Sequence, residues 1–272
     1  MENFVLSVPS GFDIFGHHIN FYGITSALAY LLGVVLCCVF AKRRGLKKDD
    51  ILTLACYVIP FAIIGARLYY VLFRLEYYTN FWDIFKIWEG GLAFYGGMIG
   101  GAIAVLLYCL IHKKNFFAII DIVAVSMILS QALGRWGNFF NQEAFGYEVT
   151  DPKWQWFPFA VYIDALDQWH MATFFYEFLW NLLTFGALLL VLFKTEQKGI
   201  VACYYLVLYG LGRSLIEGLR TDSLYIGNIR VSQLLSIFFI IIGIAGILYF
   251  ALTKKKKKDS FDIIMKVLKT DP

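Results

Sequence analysis

Seven long apolar runs constrain the fold of this chain more than any other feature. They lie at 19–41, 51–73, 92–111, 116–133, 172–193, 200–219 and 231–252. Each has about the 17–25 residues that a helix needs to cross the hydrocarbon core of a bilayer. The chain is also 60% hydrophobic and only 16% charged, against about 45–50% and about 25% in soluble domains. These features predict an all-α, polytopic membrane protein with seven transmembrane helices.

The basic residues between these runs predict the orientation of the chain. Four segments, AKRRGLKKDD, HKKN, KTEQKG and TKKKKKD, together hold fourteen Lys or Arg residues, whereas the opposite set of loops holds six. Because cytoplasmic loops carry the excess of Lys and Arg, the N-terminus is predicted to be outside and the C-terminus cytoplasmic. The net charge of +4 is therefore a topology signal, and no nucleic-acid partner is predicted.

The predicted domain organisation is a seven-helix membrane domain followed by a short tail. Residues 1–253 form the seven-helix domain, in which the outside loop 134–171 is an arm or head segment rich in Trp, Tyr and Phe, residues typical of the membrane interface. Residues 254–272 form a basic cytoplasmic tail. Residues 1–18 have no basic residue before their apolar part and no small-residue cleavage site, so they are interpreted as an interfacial segment outside, not as a signal peptide.

Several common chemistries have no support in the sequence. The five cysteines all fall inside the apolar runs without paired spacing, and the four histidines form no HxxxH or HExxH pattern. There is no GxSxG elbow, Walker loop or dinucleotide fingerprint. No metal and no cofactor are therefore predicted.

The third run begins GGLAFYGGMIGG, in which glycines recur four residues apart. Small residues at this spacing allow two membrane helices to approach closely, and close packing is the expected role. A functional role for Tyr95, which lies among these glycines near the outside end, stays open.

Polar residues inside the apolar runs carry most of the functional information, because burying a charge in a bilayer costs a few kcal/mol or more. In the sixth run, Tyr209, Arg213 and Glu217 are four residues apart and share one helical face. The predicted topology places the polar groups of several runs together at outer-leaflet headgroup depth: Tyr22, Tyr95, Arg135, Asn138, Asn141, Glu143, Glu177, Arg213, Glu217 and Arg220.

Arg135, Arg213 and Arg220 are expected to outnumber the acids that could neutralise them. Guanidinium groups bind phosphate through paired hydrogen bonds and stay charged, so the predicted ligand is an anionic phospholipid headgroup. An internal Arg213–Glu217 ion pair would explain those two residues alone. A transporter is a second alternative, but the polar groups concentrate toward one face and the chain has no clear internal repeat. A scaffold protein would not explain the cluster.

The stretch GRWGNFFNQEAFG at 134–146 resembles the signature GRxGNFxNxExxG of prolipoprotein diacylglyceryl transferases. Further motifs of that family follow in order along nearly the whole chain: NFYGI at 20–24, GARLYYVLF at 65–73, GGLAFYGG, TFFYE at 173–177, YGLGRSLIEGLR and SQLLSI at 232–237.

The resemblance implies a transferase that uses phosphatidylglycerol and needs no metal or cofactor. It implies that the diacylglyceryl group moves to the thiol of the lipobox cysteine of preprolipoproteins, that a thioether forms, and that sn-glycerol 1-phosphate leaves. This is the first step of bacterial lipoprotein maturation, in the plasma membrane, with the active site toward the extracytoplasmic leaflet.

The resemblance also assigns expected roles to individual residues. Arg135 and Arg213 would hold the phosphate, with Arg220 beside them, and Arg135 would stabilise the charge on the leaving group. Asn138 and Glu143, with Asn141, would orient the headgroup glycerol. Gly146 would allow a tight turn, Glu217 would fix Arg213, and Tyr22 would position the thiol or relay its proton.

The base that removes the thiol proton stays open. Many relatives have a histidine where this chain has Tyr95, so a histidine base at this position is in doubt. Three alternatives are an activated Tyr95, Glu143 acting as base, or the arginine field alone favouring the thiolate. A second departure, HMATFFYE where relatives often have HPTFLYE, argues against a role for His170 but keeps Glu177.

Overall fold

The computed structural model describes residues 9–78, 80–227 and 229–268, and this part of the chain is mostly helical. The described helices follow the seven apolar runs: α1 Phe21–Phe40, α2 Lys48–Phe73, α3 Phe94–Ile111, α4 Phe116–Phe140, α5 Thr173–Lys194, α6 Ile200–Glu217 and α7 Val231–Leu268. The short strands are β1 Gly11–Ile14, β2 His17–Asn20, β3 Ala160–Ile163, β4 Gln168–Met171, β5 Tyr225–Ile226 and β6 Ile229–Arg230.

Six of the described helices are long and apolar enough to cross a membrane. The shorter α3 is apolar too, over Tyr95–Ile111. The prediction of a polytopic, all-α membrane protein is therefore confirmed, and the number of described helices that meet the length requirement is six.

Two predicted boundaries differ from the structure. Helix α4 continues to Phe140, seven residues beyond the predicted end at 133, so the first part of the predicted arm 134–171 is helical. The Trp136 ring lies 5.8 Å from the Phe174 ring and 5.5 Å from the Phe178 ring, and these contacts stabilise the last turns despite two glycines. Helix α7 continues through the lysine run to Leu268, so most of the predicted tail 254–272 is helical, and residues 269–272 lie outside the described residues.

The chain separates into two compact units. One contains residues 34–122, and the other contains the chain before and after that range. In the first unit α2 packs against α3, and a Cβ added at Gly96 or Gly100 would collide with the carbonyl oxygen of Gly65 or Phe61. The prediction that these glycines serve close helix packing is confirmed.

Two buried arginines in this first unit have structural partners. Arg44 donates from Nε to Asp121 Oδ2 at 2.8 Å, and both side chains are almost fully buried. Arg67 donates to the carbonyl oxygens of Asp83 and Ile84 at 2.7 Å each, and of Gly90 at 2.7 Å. Arg67 therefore fixes the loop between α2 and α3.

The second unit contains α5–α7, most of α4 and the beginning of α1. Of the predicted interfacial segment 1–18, the first eight residues lie outside the described residues, and the β1–β2 hairpin includes most of the rest. After α4, residues 146–149 pair with β4 of the β3–β4 hairpin, and Gly146 also pairs with Arg220, just after α6. This small sheet brings the ends of α4 and α6 together beside the start of α5.

Candidate functional site

A single carboxylate, Glu177, lies at the centre of the predicted arginine cluster. It is on the second turn of α5 and its exposed fraction is 5%. Its oxygens lie 2.6 Å from Nε of Arg135, 2.5 Å from Nη1 of Arg213 and 3.9 Å from Nη1 of Arg220. Arginines from α4, from α6 and from the segment after α6 therefore converge on one point, as the sequence predicted.

Two more carboxylates complete the cluster. Glu217, 1% exposed, lies 2.7 Å from Nη2 of Arg213. Asp222 accepts hydrogen bonds from Nε and Nη2 of Arg220 at 2.9 and 2.8 Å. Three guanidinium groups thus face three carboxylates, and the expected excess of positive charge is not present. The sequence-based estimate failed because Glu177 and Asp222 were not counted as partners.

Asn138 connects the arginine cluster to the loop after α4. It accepts a hydrogen bond from Nη1 of Arg135 at 3.3 Å and donates from Nδ2 to Glu143 Oε1 at 2.8 Å. Glu143 itself is exposed. Asn138 therefore links the guanidinium of Arg135 to a solvent-exposed carboxylate.

Gly146 is required for a different reason from the predicted one. The left-handed residues of this loop are Gln142 and Ala144, with φ of 49° and 59°, so the sharp turn comes before Gly146. A Cβ on Gly146 would lie 2.8 Å from Cβ of Met171 and 2.9 Å from the carbonyl oxygen of Leu219. The glycine allows two neighbouring strands to approach on either side, and this approach holds Arg220 near the cluster.

Arg230, which no sequence motif indicated, organises the end of α6. Its guanidinium donates to the carbonyl oxygen of Glu217, to the hydroxyl of Tyr147 at 3.2 Å and to the hydroxyl of Tyr225 at 2.8 Å. It joins the β5–β6 hairpin to the segment that carries Arg220. No spacing rule would have indicated this role, because its partners are backbone and tyrosine oxygens.

The structure brings the ring of Tyr22 to the end of α4 that carries Asn138. A Cβ on Gly137 would lie 2.9 Å from Cδ2 of Tyr22, so the Tyr22 ring packs against α4 one residue from Asn138. Asn141 is exposed, and its side chain makes no hydrogen bond to an arginine in the part of the chain that the structure describes. Tyr95, half-buried, lies at the start of α3 in the unit formed by residues 34–122.

Asn138 and Glu143 also line a small pocket beside the arginine cluster. Its other walls include Gln142, Phe145, Val161 and Tyr162. Gln142 holds the β3–β4 hairpin against the end of α4, because it donates to Asp164 Oδ2 at 2.6 Å and accepts from the Asp164 N–H at 2.8 Å. The pocket thus joins candidate catalytic groups to the edge of the hairpin.

Burial and ion pairing have opposite effects on the pKa of Asp222. Burial alone would raise the pKa of Asp222, but the hydrogen bonds and charge of Arg220 outweigh it and hold that pKa below its usual value. Burial would lower the pKa of Arg220, but its bonds to Asp222 and the nearby Glu177 raise it. Both groups are therefore charged at neutral pH.

Glu177 was predicted to lie among these polar groups but was given no role, and Asp222 is an acidic site residue that the prediction did not include. Two sequence features indicate Glu177: it is an acidic residue inside an apolar run, and it belongs to the TFFYE motif. Among the described residues there is no group of three or more His, Cys, Asp or Glu side chains arranged to hold a metal ion.

Comparisons with known proteins give the family of this chain. The sequence model of prolipoprotein diacylglyceryl transferase matches residues 9–249. The chain is 46% identical over 256 residues to phosphatidylglycerol--prolipoprotein diacylglyceryl transferase 1 of Clostridium perfringens, covering 92% of this chain and 97% of that protein. It is 42% identical over 261 residues to the phosphatidylglycerol--prolipoprotein diacylglyceryl transferase of Acaryochloris marina, covering 93% and 94%. With this match over most of its length and Arg135 of the signature beside Glu177, the chain belongs to the prolipoprotein diacylglyceryl transferase family.

Proposed function

We propose that this protein transfers the diacylglyceryl group of phosphatidylglycerol to the thiol of the lipobox cysteine of a preprolipoprotein. The cysteine sulfur forms a bond to the glyceryl carbon that carries the phosphate, and the bond between that carbon and the phosphate oxygen breaks. The electron pair leaves with sn-glycerol 1-phosphate, and the thiol proton passes to a base. The names of the relatives support both substrates, and this transfer is the first step of bacterial lipoprotein maturation.

The convergence of three arginines on Glu177 is the observation that carries this proposal. Charge grows on the phosphate as the bond to carbon breaks, and fixed guanidinium donors stabilise that charge. The carboxylates hold the guanidinium groups in place before the lipid arrives, so the phosphate binds through the guanidinium N–H groups that the carboxylates leave unoccupied. Arg220 lies farthest from Glu177, at 3.9 Å, so it loses the least at the centre of the cluster when it turns to a phosphate oxygen.

Arg135 is suited to contact the leaving group. Its Nε faces Glu177 and its Nη1 donates to Asn138, and Nη2 makes no hydrogen bond to another described residue. Two N–H groups of one fixed guanidinium are thus available to phosphate oxygens. Asn138, Glu143 and Asn141 lie on the same end of α4 and the following loop, where they can orient the headgroup glycerol.

The proposed membrane arrangement places this chemistry at the outer face of the bacterial plasma membrane. We infer seven spans, with α3 counted as the seventh, an N-terminus outside and a cytoplasmic C-terminus, because basic residues are concentrated in alternate loops. The arm after α4 then lies outside. Four of its aromatic side chains, Trp154, Trp156, Phe157 and Phe159, are 40–49% exposed, which suits the headgroup region of a bilayer.

The decisive experiment is a transfer assay with purified protein and a synthetic peptide that contains a lipobox cysteine. With phosphatidylglycerol vesicles, we expect the peptide to gain the mass of one diacylglyceryl group at its cysteine and an equivalent amount of glycerol phosphate to appear. Vesicles that contain diacylglycerol without phosphate should give no product. Transfer from diacylglycerol alone would contradict the proposed leaving group.

The Asn138→Ala protein tests whether the transfer activity depends on the proposed site. It should bind vesicles and fold as the parent protein does, because Asn138 is at the end of α4, but its transfer rate should be strongly reduced. Activity equal to that of the parent would remove Asn138 and its contacts from the proposed site.

A further inference from the structure

We infer that the open edge of strand β3 binds the acceptor polypeptide as an added β-strand, through the backbone N–H and C=O of Tyr162. This inference rests on the proposed function, since it assigns a binding mode to the second substrate at the same site. The occupant is an extended, apolar segment of the preprolipoprotein around its acceptor cysteine.

The register of the β3–β4 hairpin determines which backbone groups point outward. Tyr162 lies opposite Trp169, and Val161 lies opposite His170. The N–H of Ala172 donates to the carbonyl of Phe159 at 3.1 Å, so this pair is hydrogen-bonded and every second pair after it is too. Tyr162 is therefore in a pair without hydrogen bonds, and its N–H and C=O point away from β4.

The hydrogen bonds along the opposite edge of β4 show the same alternation. The N–H of Met171 donates to Tyr147 O at 2.9 Å, and the carbonyl of Trp169 accepts from Val149 N–H at 2.7 Å. Met171 and Trp169 thus direct their backbone groups away from β3. The small sheet is closed on that side, and β3 is its free edge.

Two of the three outward N–H groups along this edge already have partners. The N–H of Ala160 donates to the carbonyl of Trp156 at 3.0 Å, and the N–H of Asp164 donates to the side-chain oxygen of Gln142 at 2.8 Å. Between them, the N–H and C=O of Tyr162 make no hydrogen bond to any described residue, although Tyr162 is only half-exposed. Unpaired backbone groups at a partly buried sheet edge are a template for another strand.

The pocket at this edge has the chemistry of an acceptor site. Its walls include Asn138 and Glu143 on one side and Val161 and Tyr162 on the other. A strand added to an exposed edge obtains affinity from main-chain hydrogen bonds and specificity from pockets for alternate side chains. A peptide beside Tyr162 would therefore run past Asn138 and Glu143, and the neighbouring Phe145 and Phe174 suit the apolar residues of a signal peptide.

The short edge makes a specific prediction about the peptide. Because Tyr162 carries the one outward N–H without a partner among the described residues of this edge, the ligand residue opposite it can form a two-way pair: it accepts from Tyr162 N–H and donates its own N–H to Tyr162 O. Methylation of that single backbone nitrogen should raise the KM for the peptide about fivefold or more, the effect expected when one hydrogen bond is lost. The same methylation one residue to either side should have little effect.

The test is a scan of singly N-methylated acceptor peptides with the full-length protein in phosphatidylglycerol vesicles. We expect one sensitive position in the KM for the peptide, with the KM for phosphatidylglycerol unchanged. Equal sensitivity at every position, or at none, would overturn the edge-binding inference. The proposed function would stand as long as the peptide without N-methyl groups gains a diacylglyceryl group. If the unmodified peptide gains no diacylglyceryl group, the proposed function fails and the inference fails with it.

A pair of protein variants tests the same contact from the other side. Tyr162→Pro removes the outward N–H without removing a hydrogen bond of the hairpin, a position at which an edge strand tolerates proline. Tyr162→Ala also removes the side chain, including its hydrogen bond to Asp167, but keeps the N–H. The proline variant should have the higher peptide KM, again by about fivefold. Equal KM values, or a change only in oligomeric state that assigns the edge to a second copy, would overturn the inference.

Discussion

At the scale of single residues, the cluster around Glu177 requires arginine and not merely positive charge. Arg135 places Nε 2.6 Å from Glu177 Oε2 and donates from Nη1 to Asn138, so two nitrogens of one planar group have different partners. Lysine has a single nitrogen on a flexible stem and cannot occupy both positions. The same reasoning applies to Arg213, which lies between Glu177 and Glu217.

We therefore expect Arg135→Lys to lower kcat for diacylglyceryl transfer by about 10²–10³-fold, the usual cost of losing a donor to a developing anion. The measurement is kcat with saturating phosphatidylglycerol and peptide. Arg74→Lys is the matched control, because Arg74 is an exposed arginine that lies 3.7 Å from Glu76. An Arg135→Lys protein with more than half of the parental kcat would show that charge alone is sufficient.

The base that accepts the thiol proton can be identified by comparing Glu143→Gln with Tyr95→Phe. Three carboxylates balance the charge of the three arginines, so the electric field of the arginines alone is a weaker explanation for thiolate formation. Glu143, in contrast, is an exposed carboxylate at the pocket. Glutamine keeps the oxygen that accepts from Asn138 but cannot take a proton. We expect Glu143→Gln to lower kcat by about 10²–10⁴-fold near neutral pH, as for loss of a general base, and Tyr95→Phe to change it little.

A pH series separates this role of Glu143 from a structural one. Above the ordinary thiol pKa of about 8.5, the acceptor ionises without help, so the rate of Glu143→Gln should rise toward that of the parent. A deficit that stays constant up to pH 9 would instead indicate that Glu143 only orients the headgroup. Loss of activity in Tyr95→Phe with recovery at high pH would assign the base to Tyr95.

Asp222 should make the stability of the folded protein sensitive to acid. Arg220 holds the pKa of Asp222 below its usual value of about 3.9. A carboxyl group with a depressed folded-state pKa stabilises the fold above its unfolded-state pKa, and this contribution is lost as the pH falls through the folded-state pKa. Asp222→Asn should therefore lower the Tm at pH 5–7, and the difference from the parent should shrink below about pH 4. A Tm difference that persists at pH 2 would contradict this assignment.

At the scale of helices, the sequence predicts the elements well and the contacts between them poorly. All seven apolar runs are helical because their length and composition leave no other way to satisfy backbone groups in a bilayer. The end of α4 was placed too early, because Gly134, Gly137 and the polar residues there suggest a loop. What extends the helix is a ring contact from Trp136 to α5, which no local pattern reveals.

The same limit applies to the site. The gathering of Arg135, Arg213 and Arg220 was predictable from topology, since each lies at the same end of its helix. Their common partner Glu177 was not, because the pairing depends on how α4, α5 and α6 are rotated about their axes. Gly146 illustrates the difference, since its necessity could be predicted but its reason, the approach of Met171 and Leu219, required the neighbouring strands.

Two glycines on α4 allow a matched test of helix packing near Tyr22. A Cβ at Gly137 would lie 2.9 Å from both Thr25 Oγ1 and Tyr22 Cδ2, whereas a Cβ at Gly134 would meet nothing within 4 Å. Gly137→Ala should therefore destabilise the protein by about 1–3 kcal/mol through overpacking. Gly134→Ala should be neutral or stabilise it by about 0.4–1 kcal/mol, because alanine restricts the unfolded chain.

Thermal unfolding and the transfer assay on the same two variants measure both effects. Gly137→Ala should also reduce transfer, because displacement of the start of α1 moves Tyr22 away from Asn138. Equal stability and equal activity of the two variants would show that the approach of α1 to α4 is not tight and that the position of Tyr22 is not set by Gly137.

At the scale of the whole molecule, the number of membrane crossings decides which side each terminus occupies. Six described helices meet the length requirement for a span, and α3 is the shorter candidate for a seventh. An even number of crossings would place both termini on one side, and an odd number would place them on opposite sides. The charge distribution predicts opposite sides, since the five lysines at 254–258 and the N-terminal segment belong to different sets.

Cysteine labelling in intact cells decides between six and seven crossings. We expect a cysteine at Ser10 to react with a membrane-impermeant maleimide without permeabilisation, and a cysteine at Lys198, between α5 and α6, to react only after it. The parent protein, whose five cysteines all lie within the helices, provides the background. A third cysteine, at Glu76 after α2, should react from outside if α1 and α2 both cross. Labelling of Glu76→Cys and Lys198→Cys from the same side would mean that α3 does not cross, and the arginine cluster would then need a new assignment to one face of the membrane.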